Sequence, residues 1–342
     1  MASGMMVEGQ WRIDRTNVDP RGQFKEIPTT FRDRVTADGS SGYKAEAGRY
    51  HLYVSLACPW AHRTLIVREL KGLKEIISVS IVDPIMSNNG WRFIDAPGAI
   101  PDSVNNTEYL YEVYVKADPT YTGRVTVPVL WDTRTDTIVN NESRDIMRML
   151  AVEFAKWSTH SVDVYPRALR QKIDETIDTI YMPINVGVYR AGFATSQAAY
   201  EEAVTELFAG LDHWDTVLST QRYLCGDQLT EADICLFTTL YRFDSVYHGH
   251  FKCNLHRITD YPNLWNYLKD LYQHPAFKAT CNLDYIKRGY YMSMPEINPT
   301  RIVPKGPILD FDTPHDRHRF GTMEPSSPPY CLEGQRNIFT EN

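Results

Sequence analysis

The sequence predicts two successive domains, an α/β domain over residues 46–155 and an all-α domain over residues 169–292. The first prediction rests on the order of the patterns: strand–helix–strand and then, after a long loop, strand–strand–helix. The second rests on the loss of strand patterns after a linker at 156–168, beyond which only helical periodicity recurs. A polar arm over residues 1–45 precedes the domains, and a proline-rich tail over 293–342 follows them.

Composition narrows the possible functions. The chain has 342 residues, enough for two domains, and its 43% hydrophobic and 23% charged residues are ordinary for a globular protein. The net charge is -7 without a basic block, which argues against nucleic acid as a partner. The apolar runs fall short of the ~20 residues that a membrane span needs. The first residues lack the basic-then-apolar pattern of a secretory signal.

The cysteines indicate the redox environment. Their spacing fits neither a disulfide framework nor a zinc site, since they are scattered over positions 58, 225, 235, 253, 281 and 331. We therefore expect a reducing location, the cytoplasm, and no metal cofactor.

The first strand–helix unit carries the most informative residue, Cys58. An apolar strand over 50–55 precedes it, and a helical pattern begins just after it and stops at Gly72. Pro59 suits the first position of that helix, because its missing N–H would be unpaired there anyway. The free N–H groups of a helix start favour an anion, so the pKa of Cys58 should fall from roughly 8.5 into the ~3.5–7.5 range. The alternative is that Cys58 is a small buried apolar residue.

Position 61 limits the chemistry of such a thiol. Thiol–disulfide enzymes carry a second cysteine three positions after the first, whereas this chain has Ala61. A partner thiol must therefore come from elsewhere, most simply from a small thiol such as glutathione.

A second strand is predicted over 75–82, parallel to the first through a right-handed crossover. Residues 83–120 then show little periodicity, and a structureless stretch of this length inside a domain is often functional. This loop contains Trp91, which either lines a site or pins the loop to the core.

Two further strands and a helix complete the α/β domain. They are predicted over 125–131, over 137–140 and from 141 onwards. Glu142 and Ser143 lie at the start of the helix, where N–H groups can bind a carboxylate. On the residues alone, plain helix capping is the simpler interpretation of both.

The all-α domain follows from helical periodicity over four segments. These are 167–182, 197–218, 230–241 and 261–272. The string Thr230-Glu231-Ala232-Asp233 has the form of a capping box, so we assign it a structural role.

Five strings in this order make the chain resemble the thioredoxin-like, glutathione-binding transferases. The closest resemblance is to the xi class, the glutathionyl-hydroquinone reductases, and it extends from about residue 45 to about residue 310. The strings are Cys-Pro-Trp-Ala-His-Arg (58–63), Gly-Trp-Arg-Phe (90–93), Arg-x-Thr-Val-Pro-Val-Leu-Trp-Asp (124–132), Ile-Val-Asn-Asn-Glu-Ser (138–143) and Gly-Asp-Gln-Leu-Thr-Glu-Ala-Asp (226–233).

The resemblance implies a glutathione site and a thioredoxin-like fold with a cis peptide bond before Pro128. In that site the backbone of Val127 pairs with the cysteinyl amide of glutathione. Glu142 and Ser143 hold the γ-glutamyl ammonium and carboxylate. Arg124 grips the glycyl carboxylate and Trp91 covers the ligand.

The xi class also implies an aromatic pocket that belongs to the helical domain. Tyr189 and Tyr290 would then exchange hydrogen bonds with the hydroquinone hydroxyls, with Tyr291 beside them. Without the resemblance, each would be interpreted as a core tyrosine with a bonded hydroxyl.

The chain departs from the xi pattern at three positions. Val186 stands where members of the class usually have Asn, and Gly289 and Met294 stand where His is usual or frequent. A missing His before Tyr290 is expected to loosen the pocket and to alter the substrate range or the rate.

The implied reaction is the reduction of a glutathione–hydroquinone thioether through a Cys58–glutathione disulfide, which a second glutathione then resolves. A tyrosine is the natural general acid. The resemblance also implies a homodimer, with the tail after residue 292 as a candidate interface. Two alternatives remain, an omega-like thiol transferase that reduces dehydroascorbate and a non-catalytic carrier of aromatic compounds.

Overall fold

The computed structural model describes residues 4–13 and 18–321, and its strands lie in the first half of the chain. Those within the described residues are Met5–Val7 (β1), Gln10–Arg12 (β2), Val35–Thr36 (β3), Tyr43–Lys44 (β4), Tyr50–Val54 (β5), Ser78–Ile81 (β6), Gly123–Arg124 (β7), Val129–Asp132 (β8) and Thr137–Asn140 (β9).

The central sheet has the order β6-β5-β8-β9. β5 pairs parallel with β6 and antiparallel with β8, and β8 pairs antiparallel with β9. All five residues of β5 are buried, as its continuous apolar sequence predicts for a strand covered on both faces. This is the mixed sheet of a thioredoxin-like domain, so the predicted fold class is confirmed.

The helices alternate with strands at first and then follow one another. They are Pro59–Leu70 (α1), Leu110–Ala117 (α2), Ser143–Arg148 (α3), Arg170–Ile180 (α4), Gly187–Gly192 (α5), Gln197–Leu218 (α6), Glu231–Arg242 (α7), His248–His250 (α8), Pro262–Gln273 (α9), Pro275–Lys278 (α10) and Leu283–Ser293 (α11). Single π-helical turns extend three of them, at Met149–Glu153, Tyr181–Asn185 and Phe243–Tyr247. No helix in the described part of the chain is both long and apolar enough to cross a membrane.

The two domains meet along α1. This helix packs against α3 of its own domain and against α7 and α10 of the helical domain. Eleven of its residues, all except Trp60, are buried, so α1 is covered on nearly every side. The end of β5 and the start of α1 therefore lie where both domains can contribute side chains.

The loop predicted over 83–120 is not structureless, and that prediction is wrong for 110–117. Helix α2 forms there and buries Leu110, Val113 and Tyr114, which are spaced as one face of a helix. The Glu112 side chain accepts hydrogen bonds from the N–H groups just before the helix and so fixes its start.

The arm also has more structure than its polar composition suggested. β1 and β2 form a hairpin, and β1 pairs antiparallel with β7 of the α/β domain. Trp11 stacks on Tyr111, and its indole N–H donates to the carbonyl of Asn88. The arm is therefore attached to the long loop and to the strand that carries Arg124.

The helical domain has helices at the four segments that the periodicity predicted, and four further helices, α5, α8, α10 and α11. The predicted capping box is present at the start of α7, between Thr230 and Asp233. Helix α11 was not predicted, and it carries the segment 286–291. The first part of the tail packs on this domain, where the fully buried Arg317 donates to the carbonyls of Leu218 and Arg222.

Candidate active site

A cavity opens between the two domains at the start of α1. It is lined by Phe24, Lys25, Glu26, Ile27, Thr29, Cys58, Trp60, Trp91, Arg124, Val125, Thr126, Val127, Pro128, Asn141, Glu142, Ser143, Tyr181 and Tyr189. Seven of the nine residues that the sequence nominated line this one cavity, and an eighth, Tyr290, bonds to Tyr189, which is one of them.

Cys58 occupies the N-cap position of α1, with Pro59 directly after it, as predicted. The side chain is 6% exposed. Its Sγ lies 3.4 Å from the carbonyl oxygen of Val127, to which the thiol donates. The thiol therefore lies against the strand entry that contains Pro128.

Burial raises the pKa of the Cys58 thiol, although the N–H groups of Ala61 and Trp60 and the charge of Arg242 lower it. The helix start thus lowers the pKa of Cys58, as predicted, but desolvation of the thiolate raises the pKa by more. The prediction of an acidic thiol is therefore wrong for this structure. The Val127 carbonyl favours the same outcome, because it can accept a hydrogen bond only from the protonated sulfur.

The peptide bond between Val127 and Pro128 is cis, as the resemblance implied. Val127 is buried, and it lines the cavity beside Cys58.

Glu142 and Ser143 lie at the polar end of the cavity. Glu142 is the N-cap of α3 and accepts from the N–H of Arg144 at 3.2 Å, so it does cap the helix. Thr29 of the arm donates to its other carboxylate oxygen at 3.3 Å. The buried Arg63 donates to the Ser143 hydroxyl at 3.4 Å. The positive charge of Arg63 and the N–H groups at the start of α3 thus lie next to Ser143, and the Glu142 carboxylate lies on its other side in the chain.

Trp91 and Arg124 lie on the wall formed by the long loop and β7. Trp91 is 5% exposed and faces the cavity from the loop. Arg124 is buried on β7, and its guanidinium donates to the carbonyl of Gly4 at 3.1 Å. The arm therefore contacts Arg124, the residue that was expected to bind the glycyl carboxylate of glutathione.

Tyr189 of α5 and Tyr290 of α11, both expected to contact the hydroquinone, lie side by side. Their hydroxyl oxygens lie 2.5 Å apart, and Tyr189 lines the cavity. Burial raises the pKa of both hydroxyls well above the ordinary tyrosine value, so both remain protonated. They can therefore donate hydrogen bonds or a proton towards a ligand beside Cys58.

Tyr291 does not join this pair. Its hydroxyl donates to the carbonyl of Ser245 at 3.3 Å, and its ring lies 4.6 Å from that of His250. It is not among the cavity-lining residues. Neighbours on a helix point about 100° apart, which explains why Tyr290 and Tyr291 cannot serve the same site.

Three residues near the site escaped the sequence analysis. Tyr247 adds a third hydroxyl, 3.0 Å from that of Tyr290. Glu26 of the arm accepts from the Tyr181 hydroxyl at 2.6 Å, and burial raises the pKa of this carboxyl. The only available signals were a tyrosine-rich composition and a polar arm, which do not indicate a particular residue.

The glycine at position 289 does not loosen the pocket, so that expectation is wrong. A Cβ built there would lie 2.7 Å from the Cβ of Ala57 and 3.2 Å from the carbonyl of Pro84. Helix α11 therefore packs directly on the turn that carries Cys58, and no open space replaces the histidine. Val186 and Met294 are both buried, each 2% exposed.

The arrangement places the Cys58 sulfur in one cavity with a tyrosine hydroxyl and with polar groups that can hold a peptide. A cysteine at the first helix of a thioredoxin-like domain that a helical domain covers is the arrangement expected of a glutathione transferase. Two family models match the chain, "Glutathione S-transferase, N-terminal domain" over residues 57–153 and "Glutathione S-transferase, C-terminal domain" over residues 197–270.

Three relatives are similar over most of their length. The glutathionyl-hydroquinone reductase YqjG of Escherichia coli is 52% identical over 93% of this chain and 100% of its own. The glutathionyl-hydroquinone reductase PcpF of Sphingobium chlorophenolicum is 49% identical over 89% of this chain and 96% of its own. The glutathione S-transferase omega-like 2 of Schizosaccharomyces pombe is 47% identical over 84% and 94%.

Solved structures give the class. A Xi-class transferase from Natrialba magadii superposes with a TM-score of 0.88 at 55% identity, covering 93% of this chain and 97% of its own. The glutathione-bound structure of YqjG superposes with a TM-score of 0.85 at 51% identity, covering 92% and 99%. The chain therefore belongs to the glutathione transferase family and, within it, to the Xi class.

Proposed function

We propose that the protein reduces glutathionyl-hydroquinones to hydroquinones at the expense of glutathione. The observation that carries the proposal is that Cys58 and Tyr189 line one cavity, with the Tyr290 hydroxyl 2.5 Å from that of Tyr189. A thiol nucleophile and a pair of phenolic donors match a substrate that joins glutathione to a hydroquinone. The similarity to YqjG and PcpF, both named glutathionyl-hydroquinone reductases, supports the same function.

The glutathione part of the substrate is assigned to the polar end of the cavity. Glu142 would hold the γ-glutamyl ammonium, and Ser143 with the N–H groups of α3 would hold its carboxylate. Arg124 would bind the glycyl carboxylate in a bidentate manner, and Trp91 would cover the chain. The backbone of Val127 would pair with the cysteinyl amide, as in the addition of a strand.

This last pairing would also activate the nucleophile. The Val127 carbonyl accepts from the Cys58 thiol in this structure, and a ligand N–H would compete for that acceptor. A thiol that loses its acceptor loses a contact that only its protonated form can make. Binding of glutathione would therefore favour the Cys58 thiolate.

Two displacements complete the reaction. The Cys58 thiolate attacks the glutathionyl sulfur, so a disulfide bond forms while the bond between sulfur and the aryl carbon breaks. The electron pair leaves on the aromatic ring, which takes a proton through Tyr189 or Tyr290 and becomes the hydroquinone. A second glutathione thiolate then attacks the glutathione sulfur bound to Cys58, giving glutathione disulfide and the free enzyme.

An omega-like thiol transferase remains the second candidate, because a relative at 47% identity is named glutathione S-transferase omega-like 2. Comparison of turnover on a glutathionyl-hydroquinone, on dehydroascorbate and on hydroxyethyl disulfide, each with glutathione, separates the two. We expect the highest kcat/KM on the glutathionyl-hydroquinone. Higher values on the other two substrates would favour the omega-like activity. Binding without turnover of any of them would favour a carrier of aromatic compounds.

We also propose a cytoplasmic homodimer. The five cysteines of the described residues are free thiols, which suits a reducing compartment. The tail after residue 292 stays the candidate interface, because it exposes Ile302 and Ile308 at 68% and 98%. Light scattering at micromolar concentration should give the mass of two chains, and the mass of one chain would contradict this assembly.

A further inference from the structure

Arg242, at the end of α7, is a fully buried cation that reaches from the helical domain to the turn before Cys58. Its Nε donates to the carbonyl of Ala57 at 2.9 Å, and its Nη2 donates to the carbonyl of Leu56 at 2.8 Å. Its Nη1 donates to the carbonyl of Thr238 at 2.7 Å and to Nδ1 of His62 at 3.1 Å. The Arg242 guanidinium thus holds Leu56 and Ala57, the two residues directly before Cys58.

No carboxylate in residues 4–13 or 18–321 forms an ion pair with Arg242. Its neighbour His62 adds no second charge, because burial lowers the pKa of His62 well below its usual value. Since Nδ1 of His62 accepts from Arg242, its Nε2 carries the proton and donates to the Thr280 hydroxyl at 2.8 Å. A buried and unpaired charge is costly to the fold, so its position beside the active-site turn calls for a role.

We propose that Arg242 is a positioning residue for the proposed reaction: it fixes the Leu56–Cys58 turn and supplies the positive charge that favours the Cys58 thiolate. The carbonyl contacts orient the turn so that Sγ faces Val127. The charge acts in the same direction as the N–H groups of Ala61 and Trp60, whereas burial opposes both.

Arg242 is the charged side chain that lowers the pKa of Cys58, and Arg63, Lys25 and Arg124 are not among the main groups that do so. From the helical domain, Tyr189 and Tyr247 face the sulfur as neutral hydroxyls, since burial raises the pKa of each. Arg63 of α1 is committed to Ser143 and to Asn185. The remaining charged side chains that line the cavity are Lys25, Glu26, Arg124 and Glu142.

Arg242→Gln tests the charge, and Arg242→Lys tests the geometry. The readout is the pH midpoint of Cys58 alkylation, followed by mass spectrometry of the modified cysteine. We expect Arg242→Gln to raise the midpoint by about one pH unit, which is about a tenfold loss of thiolate at neutral pH. Arg242→Lys should keep the midpoint but lose about tenfold in turnover, because an ammonium cannot donate to Leu56 and Ala57 as a planar fork does.

Arg317→Gln is the matched control. Arg317 is also fully buried and donates to backbone carbonyls of the helical domain, but it lies on the tail side, away from Cys58. Its loss should lower the melting temperature and leave the alkylation midpoint unchanged.

Three results would overturn the proposal. The first is a folded Arg242→Gln variant whose alkylation midpoint equals that of the wild type. The second is a shift of the alkylation midpoint in Arg317→Gln as large as that in Arg242→Gln. If Arg242→Gln does not fold, the third is wild-type turnover in Arg242→Lys. The alkylation midpoint needs no hydroquinone substrate, so this outcome is independent of whether the proposed function is correct.

Discussion

At the scale of single residues, reactivity depends on the balance around the Cys58 sulfur. Burial and the Val127 carbonyl favour the thiol, while the helix start and Arg242 favour the thiolate. The position of Cys58 followed from local sequence, because a strand, a Cys-Pro pair and a helix are adjacent in the chain. The balance between the thiol and the thiolate could not be predicted from local sequence, because desolvation of Cys58 depends on the helical domain that covers the turn.

The first prediction concerns this balance. The ultraviolet absorbance of the thiolate, with Cys58→Ser subtracted, should titrate above the roughly 8.5 of an ordinary cysteine in the free protein. Because the pKa is raised, the thiolate is scarce at neutral pH and appears as the pH rises. The unreactive analogue S-methylglutathione should lower the midpoint, since its amide competes for the Val127 carbonyl. A midpoint below 8.5 without the analogue, or no change with it, would contradict this account.

The second prediction separates binding from proton transfer at the tyrosine pair. A hydrogen bond between neutral groups contributes about 0.5–1.5 kcal/mol, or roughly tenfold in affinity at most. General acid catalysis contributes about a hundredfold or more in rate. We expect Tyr189→Phe or Tyr290→Phe to slow single-turnover release of hydroquinone about a hundredfold. Tyr291→Phe, whose hydroxyl bonds to Ser245, is the matched control and should remain active. Full activity in both test variants would remove the aromatic site from the mechanism.

At the scale of elements, the arm is the part that the sequence analysis missed most. Its polar composition, with Pro20, Gly22 and Pro28, predicted an irregular segment. The structure pairs β1 with β7 and brings residues 24–27 and Thr29 into the cavity. The Glu26–Tyr181 hydrogen bond joins residues 155 positions apart, and no local periodicity encodes such a contact.

The third prediction tests the arm. Glu26 lines the cavity near Glu142, so its carboxylate can share the γ-glutamyl ammonium of glutathione. Glu26→Gln should raise the KM for glutathione about threefold to tenfold and leave kcat nearly unchanged, which corresponds to about 0.6–1.4 kcal/mol. Glu8→Gln, an exposed acid on the same arm, should match the wild type. An unchanged KM in Glu26→Gln would show that this carboxylate takes no part in binding.

The fourth prediction concerns the contact between α11 and the active-site turn. Gly289→Ala would place a methyl group 2.7 Å from the Cβ of Ala57, so the helix or the turn must move. We expect at least a tenfold loss of kcat/KM, because small displacements of a nucleophile are costly in rate.

Gly187→Ala is the control for that contact. Its added Cβ would meet its nearest neighbour at 3.4 Å, an ordinary contact, and activity should be preserved. Wild-type kinetics for Gly289→Ala would mean that the turn tolerates movement of α11.

At the scale of the whole molecule, the site exists only where the two domains meet. The α/β domain supplies Cys58 and the strand entry at Val127, and the helical domain supplies Tyr189, Tyr290 and Arg242. Sequence order predicted both domains, because βαβ–ββα and helical periodicity are local patterns. Sequence order could not give the angle at which the two domains pack. The positions of Tyr247 and Arg242 near Cys58 were therefore identified only from the structure.

In the proposed reaction, Cys58 takes the glutathionyl group directly from a glutathionyl-hydroquinone. Intact-protein mass spectrometry after one turnover without added glutathione tests it most directly, with peptide mapping to locate the adduct and Cys225→Ser as the matched control. We expect one glutathione disulfide-linked at Cys58, one equivalent of released hydroquinone, and neither product in Cys58→Ser. Hydroquinone release without an adduct at Cys58, or an adduct on another cysteine, would contradict it.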